Sequence, residues 1–476
     1  MMRSFLWATL AGAVLSNMPG SAVFAQKEKT VVSTWLTAPS RSILFQKQAD
    51  QYFSKDNAFP QDPVIVVDLT KKFQHMDGFG WALTGGSAQA LMRMSAGART
   101  ALLKQLFDTD SDHIGGSYLR VSVGASDLND HVFSYDDLAP GQTDTTIGHF
   151  DLGPDKQNVV PVLQEIIRIN PAIRILASPW SAPVWMKDNH DTRGGSLLPQ
   201  YYPAYARYLV KYILAMQEEG IRIEALTVQN EPLHPGNNPS MYMPAPAEGE
   251  FVKHHLGPAI AQERLDTKII IYDHNCDRPD YPLSILRDPE ANPYIDGSAF
   301  HLYAGRIDTL SSVHDSFPDK NLYFTEQWVG APGNMGRDVR EHVGKLIIGA
   351  TRNWCKTVIE WNLASDAHWQ PHTDRGGCDR CLGALTIEGD SVKRNPAYYI
   401  IAHASKFVIP ESSRVLTVSD DSLPNVAFQT PRGKMVLIVL NNTEAQKGFT
   451  IEFKGRRIHA VLDAGAVATY DFNVNL

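Results

Sequence analysis

Short apolar runs alternate with longer segments of helical period through most of this chain. The runs Met76–Gly80, Gly116–Val121, Ile173–Ala177, Ala225–Gln229, Ile269–Tyr272, Gly297–Leu302, Leu322–Thr325 and Val358–Trp361 read as strands. Between them, Ala98–Phe107, Val159–Ile169, Tyr202–Glu218, Glu248–Ala261 and Val339–Trp354 repeat apolar residues at the spacing of an amphipathic helix. In Tyr202–Glu218 the stripe is Tyr205, Tyr208, Leu209, Tyr212, Ile213 and Met216. Strands alternating with helices predict right-handed crossovers and a parallel sheet. Eight such units predict an α/β protein of the closed (β/α)8 TIM-barrel class. The alternative is an open, doubly wound sheet, but Gly78-Phe-Gly-Trp81 and Thr84-Gly-Gly86 lack the GxGxxG spacing of a phosphate-binding turn.

After about residue 405 the pattern becomes all-β. Asn425–Thr430, Met435–Leu440, Phe449–Phe453, Ile458–Leu462 and Val467–Phe472 are short strands set off by turns such as Pro431-Arg-Gly433 and Asp463-Ala-Gly465. Strand-like runs in Lys29–Leu69 are expected to join them, so that N- and C-terminal segments together form an appended β-sandwich. The expected organisation is a signal peptide over 1–25, sandwich strands over 26–70, the barrel over 71–404 and the rest of the sandwich over 405–476.

In such a barrel, reacting groups sit at the carboxyl ends of strands. The fourth strand ends Thr227-Val-Gln-Asn-Glu-Pro232 and the seventh ends Tyr323-Phe-Thr-Glu-Gln-Trp328. Proline after Glu231 stops the strand and fixes the turn that presents the carboxylate. Glu231 and Glu326 would then project into one bowl. That pair is what glycoside cleavage needs, one carboxylic acid to protonate the leaving oxygen and one carboxylate to trap an oxocarbenium-like centre. The plainer reading of each glutamate is a polar cap on a strand end. Asn230 beside Glu231 can donate to a sugar hydroxyl. Trp180 and Trp361, ending strands three and eight, offer flat faces to a pyranose, or pack the core. Arg120 and Asp127 follow strand two and either pair with each other or bind hydroxyls. His301 and Tyr303 end strand six, where a tyrosine hydroxyl can steady a carboxylate.

Charge narrows the partners. The 44 basic and 52 acidic side chains give a net charge of −8, with no lysine- or arginine-rich run, so nucleic acid is not expected. Arg3, the apolar stretch Phe5–Leu15 and Val23-Phe-Ala25 read as a cleavable export signal, which implies a secreted or periplasmic protein. No segment approaches the ~18 unbroken apolar residues of a stable membrane span. Of four cysteines, Cys378 and Cys381 form a CxxC expected to close as a loop disulfide in an exported chain. Free thiols, or a zinc site with His368 and His372, are the alternatives, although that order and spacing match no strong zinc pattern.

Taken in order, Gly78-Phe-Gly80, Leu119-Arg-Val121 with Asp127, Ala177-Ser-Pro-Trp180, Trp185-Met-Lys187, Gln229-Asn-Glu-Pro232, Thr325-Glu326, Glu360-Trp-Asn-Leu363 and Ser405-Lys-Phe407 resemble glycoside hydrolase family 30, the glucosylceramidase-like retaining β-glycosidases, over nearly the whole chain. The resemblance implies a barrel fused to a β-sandwich, double displacement with retention, and no metal or other cofactor. It implies Glu231 as acid/base and Glu326 as the residue that becomes glycosylated, with Arg120, Asp127, Trp180, Asn230, Tyr303 and Trp361 around the sugar. The expected substrate is a β-glucoside such as glucosylceramide. Endo-cleavage of a β-1,6-glucan, or carbohydrate binding without catalysis, are the alternatives. Thr84-Gly-Gly86, where many relatives carry Thr-Asp, and the Cys378–Cys381 loop depart from the animal glucosylceramidases.

Overall fold

The eight expected strands close into one parallel barrel. In chain order they are Gly78–Ala82, Tyr118–Val123, Arg174–Pro179, Ala225–Thr227, Lys268–Cys276, Ile295–Gly305, Asn321–Glu326 and Cys355–Glu360, the last pairing back onto the first. This computed structural model describes residues 30–55, 61–110 and 113–475. The export signal expected over 1–25 lies outside them. Among the described residues no helix is long and apolar enough to cross a membrane. Gly80 lets the first two strands approach, because a β-carbon there would overlap the carbonyl oxygen of Tyr118.

Helices Ala96–Phe107, Val159–Ile169 and Tyr202–Glu218 pack the apolar faces predicted for them against the outside of the barrel. The continuous helix expected over Glu248–Ala261 is instead Ala245–Phe251, a π turn at Val252–Leu256 and then Gly257–Gln262. Pro258 has no N–H to return to the preceding turn, and the backbone widens just before it. The stretch expected as Val339–Trp354 is likewise Met335–His342 running into a π-helical Val343–Ala350.

Among the described residues the side module is one sheet of ten strands. Val31–Ala38 pairs with Val467–Asn473, followed across the sheet by Lys434–Leu440, Asn425–Gln429, Ser413–Thr417 and Val64–His75. N-terminal strands therefore lie on both flanks of C-terminal ones, over a core that includes Val32, Ile65, Leu437, Ile451 and Phe472. Strand Ser413–Thr417 is not among those the sequence pattern picks out. The buried His403 ties the module to the last barrel helix, Pro396–Ser405, through Thr469 Oγ1 at 2.9 Å and Thr37 Oγ1 at 2.7 Å.

Inside the barrel the two-residue period of strands stacks side chains in layers. Tyr118, Leu176, Ala225, Ile270, Ala299, Tyr323 and Ile359 form a closed apolar plug. Two residues further along their strands come Arg120, Ser178, Thr227, His301 and Thr325, all buried, so a polar layer rests directly on the plug. Strand five breaks the count. Tyr272 and Asp273 have φ of 76° and 55°, and the pairing with strand six slips between Ala299 and Phe300. This bulge turns Asp273, three residues after Ile270, into the polar layer.

Candidate active site

Asp273 is the keystone of that layer. Its Oδ2 accepts from Arg120 Nη2 at 2.8 Å, Ser178 Oγ at 3.0 Å and Thr227 Oγ1 at 2.8 Å. Its Oδ1 accepts from Thr325 Oγ1 at 2.6 Å and His301 Nε2 at 3.1 Å. Burial alone would raise this carboxyl, but Arg120, His301 and Thr325 hold it well below the usual carboxylate range. A buried carboxylate saturated in this way carries Arg120 and His301 as fixed cations beneath the mouth of the barrel.

Those cations organise the two glutamates. Arg120 Nη1 donates to Glu326 Oε2 at 2.5 Å, and Tyr303 Oη donates to Glu326 Oε1 at 2.9 Å. His301 Nδ1 lies 3.2 Å from Glu231 Oε1 and 3.8 Å from Glu326 Oε1. These two legs bring the nearest oxygens of the two glutamates within about 7 Å of one another, which is compatible with the ~5–5.5 Å separation of retaining glycosidases. Glu231 sits at φ 45° in the turn before Pro232 and also accepts from Asn237 Nδ2 at 3.3 Å.

Three carboxylates, Glu231, Asp273 and Glu326, face two cations. Burial lifts the Glu326 carboxyl above its ordinary value against the pull of His301 and Arg120, with Glu231 and Asp273 adding to the lift. Burial works on Glu231 as well, but the hydrogen bond and charge of His301 hold that carboxyl below its ordinary value. Two such neighbours titrate as a pair. His301 is pushed up to about 9, because the charge of Glu326 and its bonds to Asp273 and Glu231 outweigh its burial. Asp127, 7% exposed, is raised to about 8 by burial and by the charges of Glu326 and Glu231.

These shifts set a pH dependence. A histidine raised in the fold stabilises it fully below about pH 6.5, where the unfolded chain is also protonated, and that contribution is lost as the pH rises through about 9. Asp127, protonated in the fold when the free chain is ionised, acts in the same direction. The melting temperature is therefore expected to fall between about pH 6.5 and 9, and to fall less steeply in His301→Gln. Equal slopes in calorimetric scans of the two proteins would contradict this reading.

The expected site residues gather here, with two corrections. Asp127, Glu231, Tyr303, Glu326 and Trp361 line one pocket of about 350 Å³, together with Trp328, His234, Asn237, His274, Asn275 and the Cys378–Cys381 disulfide. Arg120 does not pair with Asp127 and is not open to a sugar. It is fully buried, with donors on Ser178, Glu326, Asn230 and Asp273. His301, expected among the sugar ligands, is also fully buried, and both its nitrogens face carboxylates. Asn230 Oδ1 accepts from Arg120, and Trp180 stacks on Trp361 at 5.3 Å with its Nε1 buried and unpartnered.

The disulfide occupies both sulfurs of the zinc set that could be drawn with His368 and His372. Glu231, His274 and His301 bring ligand atoms within 4.8 Å of one another. His301 in that group already faces Glu231 through Nδ1 and Asp273 through Nε2. Asp136, Asp144 and His149 form a second group of this kind, in which Asp144 already accepts from Thr146 and His149.

Comparisons with known proteins bear on the fold and the family. The glycosyl hydrolase family 30 TIM-barrel domain matches residues 76–408, and the family's beta sandwich domain matches 411–470. The endo-1,6-beta-D-glucanase of Neurospora crassa is 33% identical over 418 residues, spanning 83% of this chain and 85% of that one. The lysosomal acid glucosylceramidase of Mus musculus is 30% identical over 417 residues, 82% of this chain and 79% of that one. Among solved structures, the endo-beta1,6-glucanase BT3312 superposes with a TM-score of 0.86 at 35% identity, covering 93% of this chain and 99% of that one.

Proposed function

The chain belongs to glycosyl hydrolase family 30 and is a glycoside hydrolase; on that footing we propose that it is a retaining endo-β-1,6-glucanase, with Glu326 as nucleophile and Glu231 as acid/base. The observation that carries the proposal is the unequal support of the two carboxylates within one imidazole's reach. Arg120 cannot release its proton at any working pH, so Glu326 always faces a cation and a tyrosine donor. Glu231 is surrounded instead by His301, His274, His234 and Asn237, and because the two glutamates titrate as a pair it takes the acid role when their shared proton rests on it once a sugar lies over Glu326.

In the first step a Glu326 oxygen bonds to the anomeric carbon as the glycosidic C–O bond breaks, and Glu231 gives its proton to the departing oxygen. In the second, Glu231 takes a proton from water, the water oxygen bonds to the anomeric carbon, and the Glu326 ester bond breaks. Two inversions leave the anomeric configuration as it began.

The choice of glucan over the glucosylceramide first expected rests on the relatives, three of which are fungal endo-1,6-β-D-glucanases at 33% identity against 30% for the mouse glucosylceramidase. A leader-like start and a loop disulfide support action outside the cytoplasm, where such a polymer is met. Incubated side by side with a β-1,6-glucan and with glucosylceramide, the enzyme is expected to release oligosaccharides from the glucan. Release of ceramide with no cleavage of the glucan would overturn the substrate assignment and leave the two-carboxylate mechanism standing.

A further inference from the structure

We propose that the polar side chains around Glu231, namely His234, Asn237, His274 and Asn275, form the subsite that holds the departing sugar, with His274 Nδ1 as its hydrogen-bonding anchor. The inference rests on the glucan reading above and adds the residue that selects the leaving group.

The pocket has two unlike sides. Trp361, Trp328, Asp127 and the Cys378–Cys381 bridge make one, where Cys381 packs with Trp361 and Trp180. The other closes around Glu231. Asn237 donates to its carboxylate, the His234 amide donates to its main-chain carbonyl at 2.9 Å, and His274 follows the bulged Asp273 on the neighbouring strand. A group receiving the Glu231 proton must leave from this second side. Its lining of imidazoles and carboxamides suits hydroxyls, each of which both donates and accepts, and is poor for an alkyl chain.

His274 is the residue with something missing. It is 8% exposed, and its Nδ1 is buried with no hydrogen-bond partner. The nearest carboxylate oxygen, on Glu231, is 3.9 Å away, too far for a hydrogen bond. Burial holds the ring down to about 4, and neighbouring His301 and His234 oppose its charge although Glu231 and Asp277 favour it, so the imidazole is neutral at working pH. His274 lines the pocket, and a neutral ring whose unpartnered nitrogen lies beside Glu231 is complementary to a ligand hydroxyl that reaches it.

The test compares two substrates of one enzyme: a β-1,6-linked glucose trimer, whose leaving group is a sugar, and 2,4-dinitrophenyl β-glucoside, whose leaving group carries no hydroxyl. The ratio of their kcat/KM values (trimer over aryl glucoside) is expected to fall about 10- to 100-fold in His274→Leu, mostly through KM. It should return to within about threefold of wild type in His274→Asn, whose amide reaches close to the Nδ1 position. An unchanged ratio in His274→Leu would overturn the proposal, because His274 would then serve Glu231 or the fold alone.

If the wild type cuts no β-1,6 trimer, the glucan reading fails separately. The subsite is then read from transfer of the glucosyl group of the aryl glucoside to added methyl glucoside in competition with water. The acceptor's hydroxyl oxygen displaces Glu326 at the anomeric carbon and its proton passes to Glu231. The ratio of transfer to hydrolysis should drop about tenfold in His274→Leu, and equal ratios would reject the subsite.

Discussion

Glu326→Gln is expected to reduce turnover of an aryl β-glucoside by about 10⁴-fold or more while the protein melts within a few degrees of wild type. The amide conserves volume and can still meet Tyr303, but it cannot form an ester with the anomeric carbon. The shorter Glu326→Gly variant makes the assignment specific. It opens space below the anomeric carbon next to the Arg120 guanidinium, a favourable place for a small anion. Added azide should enter there, restore turnover of an activated glucoside and give the α-glucosyl azide by a single inversion. Turnover within tenfold of wild type in the Gln variant would remove Glu326 from the reaction.

Glu231→Ala should instead divide substrates by their leaving groups. A sugar cannot depart without a proton, so cleavage of the β-1,6-glucan is expected to drop about 10³- to 10⁴-fold. Dinitrophenolate needs no proton, so that glucoside should still load Glu326 and release a burst of phenolate. Water is then no longer activated, and the ester hydrolyses slowly. Azide, which needs no general base, should speed this second step and yield the β-glucosyl azide, the opposite anomer from the Glu326→Gly product. The same anomer from both variants, measured by proton NMR, would refute the division of roles. His301, which bridges the two glutamates, gives an intermediate case: its replacement leaves both carboxylates in place and removes the cation that couples them.

Much of this architecture was legible in the sequence because its causes are local. Eight apolar runs at barrel spacing, and Pro232 after Asn-Glu, are patterns of neighbouring residues, and they place Glu231 and Glu326 at strand ends without further information. Asp273 was not legible. Strict alternation from Ile270 turns Tyr272 inward and Asp273 outward, and only the bulge at positive φ, supported by partners on strands two, three, four, six and seven, reverses this. The polar run Asp273-His-Asn275 after an apolar strand was the available signal.

The same long-range network explains the errors over Arg120 and His301. Each sits at a strand end, as a sugar ligand would, yet each lies one layer too deep to reach a sugar, held there by Asp273. Trp328 went unassigned because it lies beyond the end of its strand, where no periodicity applies, and His274 because it follows the bulge at Tyr272 and Asp273 that breaks the alternation of strand five.

The account turns on a glucosyl group held by Glu326. A slow substrate, 2-deoxy-2-fluoro-β-glucosyl fluoride, speeds departure of the leaving group while its fluorine destabilises both transition states, so the ester should accumulate. Mass spectrometry of the digested, inactivated enzyme is predicted to find one fluoroglucosyl unit per chain, on the peptide carrying Glu326. A label on Glu231, or full activity with no covalent adduct after prolonged incubation, would contradict the mechanism.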